Sequence, residues 1–210
     1  MRGLADPESK IYSLLNKLAL ILELNLWVVL CCLPVITAGA AISSMHGVLL
    51  KIYREEEKRI REDFFHAMKG NLRNGTILWL LFLAFLGALA AIGWIAAQQI
   101  PAGAVYVLYG LLIAAVIGLL LLDWALILQS RYVYTVSQCL RYAVLAWLKY
   151  PGAILIYLVS LVIPVLLCLS LETLPLLLLG GIALPHLIST TLYSGVFDQM
   201  EGVPPRLPKL

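Results

Sequence analysis

The residues that decide the fold are 104–129, AVYVLYGLLIAAVIGLLLLDWALILQ, in which Asp123 is the one charged side chain. A helix of roughly 20 apolar residues crosses the hydrocarbon core of a bilayer, so this run is long enough to span a membrane. The whole chain shares this character, because 62% of its 210 residues are apolar and 13% are charged, against about half and a quarter in soluble domains. The composition therefore indicates an integral membrane protein.

Five further apolar runs have a length that suits a membrane span. They end at proline, glycine or polar residues, and we predict them at residues 15–33, 36–53, 75–97, 152–170 and 174–193. The expected fold is an all-α integral membrane protein with six transmembrane helices arranged as three helical hairpins in one membrane domain. Residues 202–210 are rich in proline and are expected to form a flexible tail.

The distribution of the 15 basic residues predicts the orientation. Every Lys and Arg lies before or at the start of the first span, between spans two and three, between spans four and five, or in the C-terminal tail. The opposite turns, near Pro34, Pro101 and Glu172, carry none. Because cytoplasmic loops are enriched in Lys and Arg, both termini are expected in the cytoplasm of a multi-pass protein of the cell membrane.

The polar segments between the spans have helical patterns. In residues 51–63 five basic residues face five acidic ones, and opposite charges at three- and four-residue offsets predict a solvated helix that continues out of the second span. An apolar stripe then follows at helical spacing, consisting of Phe64, Phe65, Met68 and Leu72. It predicts a short amphipathic helix at the membrane interface and a candidate contact with a partner. A comparable stripe precedes the fifth span, at Leu140, Val144, Trp147 and Leu148. The first span begins in the same way, so each hairpin is expected to follow a short interfacial helix.

Three polar residues within the spans are candidates for function: Glu23, His46 and His186. Glu23 precedes the Pro34 turn by about as many residues as His46 follows it, which places both about 17 Å from the turn. A Glu23–His46 pair would either hold the hairpin together or transfer a proton. Asp123 lies about 30 Å beyond its own turn, so it is expected at the interface.

The sixth span contains Pro185, which is expected to kink it beside His186. The polar side chains there would line a cavity or form hydrogen bonds between helices, and the sequence favours the second interpretation. In the second span, Gly39, Ser43 and Gly47 predict close helix packing. Cys31 and Cys32 are predicted near the outer end of span one, and Cys168 near the outer end of span five. These positions allow a disulfide from Cys168 to Cys31 or Cys32, although packing as small apolar residues is favoured.

Signatures of catalysis and of cofactor binding are absent from the sequence. It contains no P-loop, HExxH, CxxC or GxSxG motif, and three scattered histidines are poor metal ligands without partners. A net charge of +3 is too small for a nucleic-acid binder. We therefore expect no enzyme, no cofactor, no metal site and no nucleic-acid partner.

Several segments together resemble a known family. Asn25-Leu26-Trp27 is followed by CCLPVITAGAAISSM (31–45), DFFHAMKGNLRNGTILWL (63–80) and LRYAVLAWLKYPGAILIYL (140–158). These segments resemble the YesL-like family of bacterial membrane proteins, domain of unknown function 624, over nearly the whole chain. Glu23 is not part of that pattern. Members of the family often occur beside carbohydrate uptake systems and sugar-responsive sensors, and no catalytic residue is established for it.

The resemblance implies an accessory or regulatory subunit beside a carbohydrate permease or a membrane sensor, and this is the expected function. The alternative is a small transporter of its own, acting as a homo-oligomer, because repeated hairpins and broken helices occur in many carriers. A third hypothesis, an intramembrane enzyme that uses Glu23 with a histidine, requires converging groups and a water path.

Overall fold

The computed structural model describes residues 10–54, 59–100, 103–150, 153–168 and 171–200, and within these ranges it contains helices and no strand. The predicted tail, 202–210, lies outside them. The helices are α1 (Lys10–Cys32), α2 (Ala38–Tyr53), α3 (Ile60–Gln99), α4 (Ala104–Arg131), α5 (Val136–Lys149), α6 (Ala153–Cys168), the single turn α7 (Leu174–Leu176) and α8 (Ala183–Met200).

Four helical segments are long and apolar enough to cross a membrane. They are Leu15–Cys32, Val35–Tyr53, Ile60–Gln99 and Ala104–Arg131. They include the first four predicted spans, and α4 differs from its predicted range of 104–129 by two residues at one end. The predicted fifth and sixth spans correspond to shorter apolar helices, α6 with 16 residues and the segment Leu177–Thr191. The all-helical membrane architecture is thus confirmed.

The helix α2 lies at the centre of the bundle, where twelve of its 16 residues are buried. Its predicted small-residue stripe makes the closest approaches. A Cβ on Gly39 would lie 2.3 Å from the carbonyl oxygen of Gly75 in α3, which is too close for any side chain. Further along the stripe, the Ser43 hydroxyl donates to the carbonyl of Leu126 in α4 at 2.9 Å. Close packing through this stripe is therefore confirmed.

The register of α2 against α3 differs from the expected arrangement. Three antiparallel contacts define it, each joining one residue of α2 to one of α3: Gly39 with Gly75, Ser44 with Asn71, and Lys51 with Asp63. The middle of α2 is thus level with Asn71, about 22 Å along α3 from the middle of the predicted span 75–97. The α1–α2 hairpin and the α3–α4 hairpin are therefore staggered, because α3 folds back along α2 before it continues past it.

This register corrects the expected interfacial helix before the third span. Residues 60–99 form one continuous helix, and the stripe in its first part packs against the chain itself. Phe64 is fully buried, and the Phe65 ring meets Trp27 of α1 edge to face with the centroids 5.4 Å apart. A partner cannot reach Phe64 in this structure, and of the four stripe residues Leu72 is the exposed one, at 39%.

The expected helix over residues 51–63 is also wrong. The helix α2 ends at Tyr53, and Arg59 has an extended backbone with φ −148° and ψ 98°. The predicted pairs through Glu57 and Lys58 lie outside the described residues. Arg54 instead forms a buried ion pair at 2.7 Å with Asp198 of α8, which joins the ends of these two helices.

The helix α5 is separate, as the sequence predicted for the element before the fifth span. Thr135 and Gln138 form a capping box at its N-terminus, which satisfies backbone N–H groups that the first turn leaves free. Its buried face carries small residues: Cys139, Ala143 and Ala146. The predicted stripe lies largely on the opposite face, where Leu140, Val144 and Leu148 are exposed. The face of α5 that packs against the core is therefore the one with small residues, because small residues permit close packing.

The predicted sixth span is broken, but not at Pro185. The helical backbone is interrupted at Leu179 and at Gly180, whose φ of +113° favours glycine. Pro185 is the third residue of α8. Its missing N–H removes no hydrogen bond, because the N–H groups of the first helical turn have no partner within the helix. The kink therefore precedes Pro185 because a positive φ ends the preceding turn, and the proline lies in the first turn of the next helix.

Asn25 of α1 compensates for this break. Its amide nitrogen donates to the carbonyls of Leu177 at 2.8 Å and Leu178 at 2.9 Å. Its amide oxygen accepts from the N–H groups of Ile182 at 3.1 Å and Ala183 at 3.0 Å. A broken helix in an apolar environment needs such partners for its freed backbone groups. Asn25, which is fully buried, thus fixes the start of α8.

Candidate functional site

Three buried ionisable side chains meet where α2, α4 and α8 come together. The Nε2 atom of His46 lies 3.1 Å from Oδ1 of Asp123, and Nε2 of His186 lies 3.8 Å from the same oxygen. The two imidazole rings are 5.1 Å apart, edge to face. All three residues are at most 3% exposed. We call these residues the His–Asp–His cluster.

Neighbouring backbone and side chains hold the two histidines in place. His186 Nδ1 lies 2.8 Å from the carbonyl of Ile182, so it carries the proton and donates it. The Tyr193 hydroxyl lies 3.2 Å from the His46 carbonyl, to which it donates, and 2.8 Å from the hydroxyl of Thr190. The break compensated by Asn25 lies just before α8, the helix that carries His186, so it also determines where the imidazole lies.

Several polar atoms of the cluster make no hydrogen bond to any described residue: His46 Nδ1, Asp123 Oδ2 and His186 Nε2. Such atoms are costly when they are buried, and they call for an explanation. With Nδ1 protonated, a neutral His186 presents a lone pair at Nε2, which faces the carboxylate of Asp123. Two electron-rich atoms face each other there, so the geometry favours a positive charge between them.

A cavity of about 400 Å³ adjoins the cluster. Asp123 and His186 lie at its edge, and most of the remaining wall is apolar: Ile42, Trp79, Leu119, Leu122, Leu126, Leu161 and Leu177. Such a wall suits a small apolar group and offers few partners for hydroxyl groups.

The structure separates the predicted site residues. His46 and His186 come together, whereas Glu23 lies on the exposed face of α1 and Asp123 is the partner of His46. The predicted Glu23–His46 pair is therefore wrong, and Asp123, which was expected at the interface, is buried beside His46. The counts of depth from each turn assumed hairpins at one level, and the stagger of the α1–α2 and α3–α4 hairpins makes that assumption fail.

The cysteines near the outer end of the first span do not form the disulfide that the sequence allowed. Cys31 and Cys32 have free thiols, so neither forms the disulfide that was left open, and the side chain of Cys168 lies outside the described part. The cluster was not predicted from the sequence, although Asp123 is a visible signal as the single charge in the apolar run 104–129. Burial raises the pKa of the Cys139 thiol on α5 to about 11.

The fold and the cluster define a helical membrane protein in which a group of three ionisable residues is buried among the helices. The model of the family described as "Protein of unknown function, DUF624" matches residues 20–92. The match confirms the resemblance to the YesL-like family over residues 20–92 and is consistent with assignment of the chain to DUF624, whereas the resembling segment 140–158 lies outside it. It contains Asn25 and His46, whereas Asp123 and His186 lie beyond it. No curated protein and no solved structure matches the chain.

Proposed function

We propose that the protein is an accessory or regulatory subunit of a bacterial carbohydrate uptake system, without enzymatic activity of its own. The resemblance to the YesL-like family supports the context. The observation that carries the proposal is the apolar wall of the 400 Å³ cavity. A sugar needs a partner for each hydroxyl group that it buries, and the polar groups Asp123 and His186 are too few for that. The sugar would therefore pass through a partner permease.

The proposed topology has six spans in three hairpins, with both termini in the cytoplasm of the cell membrane. The distribution of all 15 basic residues supports it. The exposed leucines of α1 support contact with lipid: Leu15, Leu18, Leu22, Leu26 and Leu30. Because the first two hairpins are staggered, the α3–α4 hairpin would reach further from the cytoplasm than the α1–α2 hairpin.

The experiment is purification of the natively expressed protein in a mild detergent, followed by quantitative mass spectrometry of the proteins that accompany it. A tagged multi-pass protein of unrelated function, expressed at the same level, is the control. We expect a permease or a membrane sensor in stoichiometric amount in the test sample alone. A homo-oligomer without such a partner would contradict the proposal.

A second candidate function is a small transporter that acts as a homo-oligomer. The His–Asp–His cluster beside a broken helix favours it, since carriers place ionisable groups and interrupted helices at their binding sites. The transported species would be a proton or another cation. Uptake into proteoliposomes tests this alternative with His46→Gln, and His66→Gln is the matched control because His66 is exposed on α3. If His66→Gln takes up the cation and His46→Gln does not, the result would support transport.

A further inference from the structure

The His–Asp–His cluster has the composition and spacing of a metal site. We infer that His46, Asp123 and His186 bind one divalent transition-metal ion of the zinc type. This goes beyond the proposed function, which needs no metal. One ligand atom from each residue lies within 4.8 Å of the other two, and all three residues are buried.

The distances from the Asp123 carboxylate to the two histidines are close to those around a tetrahedral ion. Bonds of about 2.0–2.1 Å to nitrogen and oxygen place neighbouring ligand atoms about 3.3 Å apart. The separations from Asp123 Oδ1 are 3.1 Å to His46 Nε2 and 3.8 Å to His186 Nε2. These two values lie within about half an ångström of the ideal one. One ligand atom of each histidine lies within 4.8 Å of the other, so the two imidazoles would move closer together as the ion binds.

The orientation of His186 adds an independent argument. Its Nδ1–H donates to the carbonyl of Ile182 at 2.8 Å, which is the outer hydrogen bond that histidine ligands usually make. The free Nε2 then carries a lone pair, and it makes no hydrogen bond to any described residue although the side chain is 4% exposed. A metal ion provides the electrophile that this lone pair and the Asp123 carboxylate both face.

Charge and donor type narrow the choice of ion. Two neutral imidazoles and one carboxylate form a buried group of net charge −1, which a divalent cation converts to +1. Imidazole donors suit zinc, iron, cobalt, nickel and copper, whereas magnesium and calcium prefer oxygen donors. Three protein ligands leave a fourth position free. Since Asp123 and His186 line the 400 Å³ cavity, that position would be occupied by water or a small ligand from the cavity.

The test uses the full chain in mild detergent, without a histidine tag, after treatment with a chelator and equilibration with Zn²⁺ alone. We expect one Zn²⁺ per chain in the wild type and in the control His66→Gln. In Asp123→Asn and His186→Gln we expect Zn²⁺ to bind at least roughly 100-fold more weakly. Each variant loses a direct ligand, and loss of a residue that only hydrogen-bonds to a ligand already lowers metal affinity about 10–100-fold. Helical circular dichroism and a monodisperse elution verify that each variant is folded.

Co²⁺ provides a second measurement that is independent of the variants. The intense visible absorption of four-coordinate Co²⁺ should appear in the wild type and in His66→Gln, and be lost in His46→Gln. Equal Zn²⁺ affinity in folded wild type and ligand variants would overturn the inference, as would a folded wild type that binds no Zn²⁺. The second result would mean that a proton alone supplies the positive charge. If the ligand variants do not fold, a six-coordinate Co²⁺ spectrum in the wild type would still overturn it.

Discussion

Replacing Asn25 by alanine removes the side chain that compensates for the break before α8. Four hydrogen bonds are lost, two donated to the carbonyls of Leu177 and Leu178 and two accepted from the N–H groups of Ile182 and Ala183. A hydrogen bond between helices of a membrane protein contributes about 0.6 kcal/mol, and a typical protein hydrogen bond about 1 kcal/mol. We therefore expect the free energy of unfolding to fall by about 2–4 kcal/mol.

The assay is reversible unfolding by SDS in mixed micelles, followed by tryptophan fluorescence. Asn16→Ala is the matched control, because Asn16 lies on the same helix and is exposed, so its free energy of unfolding should change by less than about 0.5 kcal/mol. Hydrogen exchange supplies a local readout. The amides of Ile182 and Ala183 should exchange faster in Asn25→Ala, while those of α4 keep their protection.

Asn25→Asp separates hydrogen bonding from packing. The carboxylate retains both acceptor positions but turns an acceptor towards two carbonyl groups, so this variant should be at least as unstable as Asn25→Ala. If Asn25→Ala changed the free energy of unfolding by less than about 0.5 kcal/mol and left exchange at Ile182 unchanged, Asn25 would not stabilise the break before α8.

Three further perturbations follow from the packing. Gly39→Ala should destabilise the protein by about 1–3 kcal/mol or more, because its Cβ would overlap the Gly75 carbonyl. The control Gly70→Ala, with no atom within 4 Å of the added Cβ, should be neutral or slightly stabilising. Equal effects of the two substitutions in SDS unfolding would contradict the α2–α3 register. Asp198→Asn should lower the free energy of unfolding by about 3–5 kcal/mol, as expected when one partner of a buried ion pair is removed. The double variant Arg54→Leu, Asp198→Leu should be more stable than Arg54→Leu alone. If the double variant lost as much stability as the two single variants together, the result would argue against the pair. In a chain whose other three cysteines are alanine, the raised pKa of Cys139, about 11, should slow alkylation at pH 8 roughly 100-fold relative to the SDS-unfolded chain, because the thiolate fraction is smaller. The rate should rise with pH. Rapid alkylation of the folded protein at pH 8 would show that the thiol is not buried.

The positions of several helices followed from local features of the sequence. The run 104–129 predicts α4 closely because the apolar residues, the preceding Gly103 and the basic end at Arg131 act within one helix. The break in the sixth span was harder to locate. Pro185 is a visible helix breaker, but its effect depends on whether its missing N–H falls in a first turn, and that depends on Gly180.

The candidate site could be predicted only in part. His46 and His186 were identified because ionisable residues are rare in apolar spans. Their partner was missed because Asp123 is 77 residues from His46 along the chain, and depth counted from a turn does not reveal how far one hairpin slides past another. Asn25 was recognised as part of a motif, whereas its role required the position of a helix break more than 150 residues away.

The sequence by itself determined the class of the protein and most of its helices, because composition and hydropathy act locally and need no partner. The tertiary structure alone decided the stagger of the hairpins, the intramolecular packing of Phe64 and the meeting of His46, Asp123 and His186. These features depend on the register between helices, which close approaches such as that of Gly39 to Gly75 determine. Such contacts join residues that are distant in the chain, and no local pattern encodes them.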